Sequence, residues 1–321
     1  MSRPYSAEIS TDRALGALYG LAIGDALGMP TQELDRARAA AIVGSPPGFR
    51  DAPADNRISH GLPAGSITDD TMQCLLIANL LISGGGTIEP RGLADTLLAW
   101  EREMAERGHY DLLGPSTKRA LASVAAGDDP SLTGRTGTTN GAAMRITPVG
   151  IATPAEPLER LLAAVVAADR VTHDTAVAHA GAAVVAAVVA AGVDGENFEA
   201  AAPHAIRAAR RFGFGALFEE ALRLDSVDAI VDRFGTGVET AESVPTAFGV
   251  ARLSHGDAWV ACTQGAALGG DTDTIAALAG AMVGACTGLS TLPSAAVRKV
   301  REVNHLDLEA LVDGLLALRR Q

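Results

Sequence analysis

An all-α fold is predicted from three observations. The chain has 321 residues and is 48% hydrophobic, yet only 4% aromatic, and alanine is abundant throughout. Alanine is the best helix former and loses no side-chain entropy, so it suits closely approaching helices. Runs of β-branched and aromatic residues in strict alternation, which would argue for strands, are missing.

The elements follow in order from apolar positions at helical spacing. Residues 13–27 read as an apolar helix stopped by Gly28 and Pro30. Residues 30–65 are rich in Pro, Gly and charge and hold one short helical stretch, 35–43. Connections of this length are usually functional or mobile. A helix over 69–82 ends at the glycines 84–86, and further helices span 91–107 and 116–126. The stretch 133–148, TGRTGTTNGAAMRITP, breaks the pattern with Gly, Thr and Asn. Helices resume at 157–168, 174–191, 196–212, 216–224, 227–233, 241–253, 257–268, 271–286, 294–303 and 308–319. No fixed-period repeat and no linker divides the chain, so one all-helical domain over residues 1–321 is expected.

Net charge is −12 and the pI is about 5.0, which removes the basic footprint a nucleic-acid duplex needs and disfavours an anionic membrane. A small phosphate-bearing ligand stays compatible if metals or backbone amides neutralise it locally. Cys74, Cys262 and Cys286 are few and far apart, the pattern of buried free thiols in a reducing compartment. Glu8, Asp12 and Asp25 do not fit a secretory signal. Residues 175–193 approach the length of a membrane span but contain His179, so they are expected to form a buried helix. The protein is expected to be cytoplasmic.

Two short acidic clusters stand out, about two hundred positions apart: Thr68-Asp69-Asp70-Thr71 and Asp271-Thr272-Asp273-Thr274. Each opens a helix. Capping and the helix dipole account for one Asp per helix. They account poorly for two acids that repel each other at the entrance to a core, and less well for the same device used twice. A bound cation removes the difficulty. Carboxylates and Thr hydroxyls are hard oxygen ligands suited to Mg²⁺, Mn²⁺ or Ca²⁺, whereas zinc usually takes Cys or His. Four carboxylates are enough for two divalent ions ~4 Å apart, the separation of dinuclear hydrolytic centres.

With both clusters in view, the chain resembles the ADP-ribosylglycohydrolase family. The likeness is carried, in order, by GLAIGDALGMP (20–30), TDDTM (68–72), NGAAMRITPVGI (140–151), THDTAVAHAGA (172–182) and LGGDTDTIAALAGAMVGA (268–285). It implies an orthogonal helical bundle around two Mg²⁺ (or Mn²⁺) ions, with Thr68, Asp69, Asp70, Asp271, Asp273 and Thr274 as their ligands. It also implies that water activated by the cations attacks the anomeric carbon of a ribosyl group. Asp70 or Asp271 would activate that water; the sequence does not choose between them.

The family commonly places a Glu shortly after GDALG, and here that position is Gln32, followed by Glu33. Either Glu33 takes over the carboxylate role through a shift of register, or the Gln32 amide only hydrogen-bonds the sugar. By the same likeness Thr138, Thr139, Asn140 and Gly141 line the substrate pocket, with Arg135 and Arg145 as local positive charges. Taken without the family, that loop is an ordinary helix connection. His173 belongs to the pocket wall or to a capping segment. His179 and Met144 read as core filler. Glu239, Glu242 and Ser243 are further candidates near the pocket.

The implied function is hydrolysis of the ribosyl C1 bond of an ADP-ribosyl conjugate, whether a protein side chain or a small molecule. The alternatives are an N-glycosidase for nucleosides that uses the same centre, and a non-catalytic, metal-stabilised helical protein like certain lens crystallins.

Overall fold

The computed structural model describes residues 7–106 and 113–321. Among the described residues seventeen α-helices run in order: α1 (Ala7–Gly28), α2 (Arg36–Val43), α3 (Asp69–Ser83), α4 (Pro90–Glu106), α5 (Pro115–Ala125), α6 (Gly141–Met144), α7 (Thr147–Ala152), α8 (Leu158–Asp169) and α9 (Ala176–Val193). Then come α10 (Phe198–Arg211), α11 (Gly215–Ala221), α12 (Val227–Phe234), α13 (Thr240–Leu253), α14 (Ala258–Ala266), α15 (Thr272–Thr287), α16 (Ser294–Asn304) and α17 (Leu308–Arg319). Among the described residues there is no sheet, only an isolated bridge between Thr139 and Glu239. The last position of the helix expected over 91–107 lies outside the described residues.

The central packing is α1 against α15. Gly16, Gly20, Gly24 and Gly28 recur every fourth residue, which aligns them on one face of α1. A methyl group on Gly20 would lie 2.2 Å from the carbonyl oxygen of Gly280, and one on Gly16 would lie 2.3 Å from that of Gly284. On Gly24 it would lie 2.1 Å from the oxygen of Ala276. The two backbones therefore touch directly. At the far end of this ladder Gly28 meets Thr272 and Asp273, so the contact delivers the end of α1 to the start of α15.

The helix α9 is long and apolar enough to cross a membrane by length and composition. In the fold it is a central core helix, buried from Ala178 to Val193. Cys74, Cys262 and Cys286 are buried free thiols.

The expected break at 133–148 contains two short helices, α6 and the start of α7. Pro148 occupies the first turn of α7, where its missing N–H costs nothing. Gly150 lets α7 approach α9: a methyl group there would lie 2.7 Å from the oxygen of Ala186. The helix thus forms where tertiary contact overrides weak local propensity.

The end of α7 is held from the far end of the chain. Arg319 donates to the carbonyl oxygens of Gly150 (2.9 Å), Ile151 (3.0 Å) and Thr153 (2.6 Å). It also donates to Ala190 O and pairs with Asp194 at 2.6 Å. The Gly150, Ile151 and Thr153 carbonyls lie at the open end of α7, where the helix supplies no further N–H, and the guanidinium satisfies them. Arg319→Ala is expected to lower stability by about 2–4 kcal/mol. A shifted urea midpoint would report it, and an unchanged midpoint would contradict this role.

Candidate active site

Asp25, on the last turns of α1, organises the first acidic cluster. It is fully buried and accepts from Thr68 N (3.0 Å), Thr68 Oγ1 (2.7 Å) and Thr71 N (3.1 Å), and from the Thr71 hydroxyl. Burial raises its pKa, and these hydrogen bonds pull it back. Asp25 therefore pins the N-terminus of α3. Since the glycine ladder fixes α1 on α15, the same contact sets α3 against α15.

Both acidic pairs then face one cavity of about 420 Å³. Its lining includes Asp69 and Asp70 from α3 and Asp271, Asp273 and Thr274 at the start of α15. Gln32 and Glu33, Thr139, Asn140 and Gly141 complete the polar wall, while Ile58, Leu113, Pro115, Met144 and Val238 supply apolar surface.

The two pairs are built alike. The deeper member of each, Asp70 or Asp273, is buried and has an Oδ1 atom without a hydrogen-bond partner. The shallower member accepts from an amide side chain: Asp69 Oδ2 from Gln73 Nε2 at 3.1 Å, and Asp271 Oδ2 from Asn140 Nδ2. Asn140 Nδ2 also donates to Ser243 Oγ at 2.8 Å. Burial, and then repulsion from one another, from Asp271 and from Asp25, pushes Asp69, Asp70 and Asp273 well above the usual carboxylate range. Burial raises Asp271 too, and the hydrogen bond from Asn140 opposes it.

The donor chemistry fits hard divalent cations. Carboxylate oxygens dominate, two of them are buried without a partner, and no thiol or imidazole lines the cavity. The side chains do not form a closed cage: among the described residues no group of three or more His, Cys, Asp or Glu side chains converges on one metal position.

Gln32 and Glu33 are latched to the second cluster. Glu33 N donates to Gly270 O (2.7 Å), and Gly270 N donates to Leu34 O (2.9 Å). Glu33 adopts φ +60°, the left-handed region, as the latch requires. The two residues point to different places. Gln32 is 7% exposed, and its Nε2 has no partner, whereas Glu33 stands exposed at the rim.

Several expected site residues sit elsewhere. The Thr68 hydroxyl donates to Asp25 rather than lining the cavity. Thr138 pairs through its carbonyl with Thr240 N (3.0 Å) and does not line it either. Arg145 and His173 are both fully buried behind the wall, Arg145 just after α6 and His173 in the turn before α9, and they bond to Thr172 and Thr139 rather than facing the cavity. Ser243 reaches the site only through Asn140, and Glu239 only through its backbone bridge to Thr139.

Met144 lines the cavity, and His179 is no mere filler. Its Nδ1 lies 3.1 Å from Asp169 and its Nε2 lies 3.0 Å from Asp174. Burial alone would lower the His179 imidazole, but the two carboxylates outweigh it and raise its pKa. Burial raises Asp169 as well; the expectation that follows rests on His179, which is gripped from both sides.

A His raised in the folded state stabilises fully below its ordinary value of 6.5 and loses that contribution as pH rises through the folded value. The stability gap between wild type and His179→Gln is thus expected to narrow as pH climbs through neutrality. Urea titrations at several pH values would measure it, and a constant gap would contradict it.

The sequence reading missed Gln73, Thr117 and Lys118. Gln73 sits one helical turn after Asp69, a spacing visible in the sequence. Nothing local pointed to Thr117 or Lys118, which line the cavity from the start of α5.

The fold and this acid-lined cavity define a class of helical hydrolases, and comparison with known proteins gives the same answer. The sequence model of the ADP-ribosylglycohydrolase family matches residues 6–321, and the chain belongs to that family of glycohydrolases. It is 33% identical to the uncharacterized protein YegU of Escherichia coli (strain K12), over 98% of this chain and 99% of that one. It is 29% identical to the ADP-ribosyl-[dinitrogen reductase] glycohydrolase of Rhodospirillum rubrum, over 96% of each chain. Identity to the ADP-ribosylarginine hydrolase Tri1 of Pseudomonas putida (strain GB-1) is 30%, over 93% of this chain and 77% of that one. A solved structure described as an ADP-ribosylglycohydrolase-related protein complex superposes with a TM-score of 0.68 at 28% identity, covering 97% of this chain and 99% of that one.

Proposed function

We propose that the chain is a divalent-metal-dependent glycohydrolase that cleaves the ribosyl C1 bond of an ADP-ribosyl conjugate. The observation that carries this reading is the meeting of Asp69, Asp70, Asp271 and Asp273 in one cavity, each deep acid with an unpartnered oxygen. Asp69, Asp70, Asp271, Asp273 and Thr274, all of which line the cavity, would hold the cations. Two Mg²⁺ or Mn²⁺ ions would neutralise the acids and lower the pKa of a water.

The remaining work falls to the chain itself. Of the two candidates Asp70 and Asp271, we assign the proton of the attacking water to Asp271, which is half-buried, faces the cavity and accepts a hydrogen bond from Asn140, whereas Asp70 is buried. Gln32 offers an N–H to a sugar oxygen but no proton to a leaving group. Negative charge beneath the ribose favours an oxocarbenium-like transition state. The relatives from R. rubrum and P. putida, whose names specify ADP-ribosyl substrates, support the substrate class.

A nucleoside substrate is the second reading. Among the described lining residues Lys118 carries the sole positive charge, and Arg145 is buried away from the cavity, so little awaits a diphosphate. Incubation with ADP-ribosyl-arginine and with a panel of nucleosides separates the two readings. Release of ADP-ribose in Mg²⁺ or Mn²⁺, abolished by excess EDTA, is expected. Turnover of nucleosides alone would reject the first reading, and full activity in EDTA would reject the metal.

A further inference from the structure

Arg145 begins a hydrogen-bond chain whose direction can be worked out atom by atom. Its guanidinium is fully buried and can only donate. Nη2 donates to Thr172 Oγ1 at 2.6 Å, and Nη1 donates to Gln73 Oε1 at 3.0 Å.

Thr172 Oγ1 therefore accepts from Arg145, and its single proton is left to face His173 Nδ1 at 2.7 Å. A buried hydroxyl proton without an acceptor would be costly, so Nδ1 is the acceptor and carries no proton. Burial and the nearby Arg145 charge lower the His173 pKa well below its ordinary value, which keeps the ring neutral. A neutral imidazole with a bare Nδ1 has its proton on Nε2. That N–H donates to Thr139 Oγ1 at 3.1 Å. Thr139 Oγ1 is thus an acceptor toward His173, so its own proton points away from the ring, and Thr139 lines the cavity.

We propose that Thr139 is a specificity-determining residue that presents a fixed hydrogen-bond donor to the cavity, with its polarity imposed by Arg145 through Thr172 and His173. The ligand atom it selects is an oxygen with a free lone pair, and a donor group at the same place is rejected. Arg145, Thr172 and His173 are positioning residues: none of them lines the cavity. The second branch has the same logic. Because Arg145 takes the Gln73 carbonyl, the Gln73 amide N–H₂ must turn toward Asp69 Oδ2.

Only the ligand half of this inference rests on the proposed glycohydrolase function. The polarity is tested on the full chain with ¹⁵N-labelled histidine, with the His173 signals assigned by their loss in His173→Gln. Wild type is expected to show a neutral ring protonated at Nε2 across the neutral pH range, and Thr172→Val to lose that preference. An Nδ1-protonated ring or an imidazolium in wild type would overturn the chain.

The ligand half is tested by calorimetry with ADP-ribose in Mg²⁺. Thr139→Val is expected to weaken binding about tenfold, the value of one buried hydrogen bond. Thr139→Ser should retain binding, and Mn²⁺ affinity should stay unchanged in both. Wild-type affinity in Thr139→Val would overturn the donor role. Should wild type take up no ADP-ribose, the proposed substrate falls, while the His173 tautomer still decides the polarity.

Discussion

Gly20→Val is expected to yield a chain that does not reach the native fold. The first added carbon would lie 2.2 Å from the carbonyl oxygen of Gly280, and the obstacle is backbone that cannot rotate away. Ordinary helix pairs sit roughly 8–10 Å apart with side chains between them, and this pair has none at its contact points. Separating α1 from α15 would also withdraw Asp25 from Thr68 and Thr71 and open the central core. Overpacking commonly costs about 1–3 kcal/mol where side chains can shift. Here the loss should approach the whole stability of a domain, about 5–15 kcal/mol. A control separates this effect from helix propensity. Gly92 in α4 has nothing within 4 Å of an added methyl group, so Gly92→Ala should stabilise, by about 0.5–1 kcal/mol. Thermal melts by circular dichroism would read both variants. A cooperative Gly20→Val melt near wild type would show that the two backbones can part at little cost.

Asp70→Asn and Asp271→Asn are expected to abolish glycohydrolase activity while the helical spectrum is retained. Residues behind metal ligands typically change affinity or activity by about 10–100-fold, and loss of a ligand or of the proton acceptor should exceed that. The two variants should also separate from a structural defect through their stability. Burial and the neighbouring acids push Asp70 well above the usual carboxylate range, so removing its charge relieves repulsion in the cation-free protein. The cation-free Asp70→Asn protein should therefore melt no lower than wild type. Saturating Mn²⁺ should raise the wild-type melting temperature, by about 2.7 kcal/mol of linkage at one hundred times Kd, and Asp70→Asn should lose that gain. A cation-free variant that unfolds would instead assign Asp70 to the fold.

Much of this molecule was legible residue by residue. The apolar periodicity located α17 at its observed bounds, and α12 and α13 to within a residue at either end, because those segments carry strong helical spacing between clear stops. The two Asp clusters announced themselves because adjacent acids at the mouth of an apolar helix are unfavourable without a partner. The ladder Gly16, Gly20, Gly24, Gly28 was visible as a spacing of four, yet the same glycines read equally well as weak points in a helix. Arg145 and His173 look like pocket residues in the sequence, since a Gly-rich loop beside an arginine suggests anion binding. In the fold both are fully buried behind the cavity wall, where Arg145 bonds to Gln73 and His173 to Thr139.

The amino-acid sequence by itself determined that the chain is helical, that two acid pairs open two of its helices, and that its pattern of motifs is that of one family of glycohydrolases. Each is a local property, set by propensity, periodicity and the repulsion between neighbouring charges. Tertiary structure alone decided that the two pairs share one cavity, which acid of each pair lies deep, and in which direction the buried hydrogen bonds run. Those depend on where α1, α3 and α15 meet. That meeting is set by backbone contact across a glycine face and by one buried aspartate, which no local stretch of sequence records.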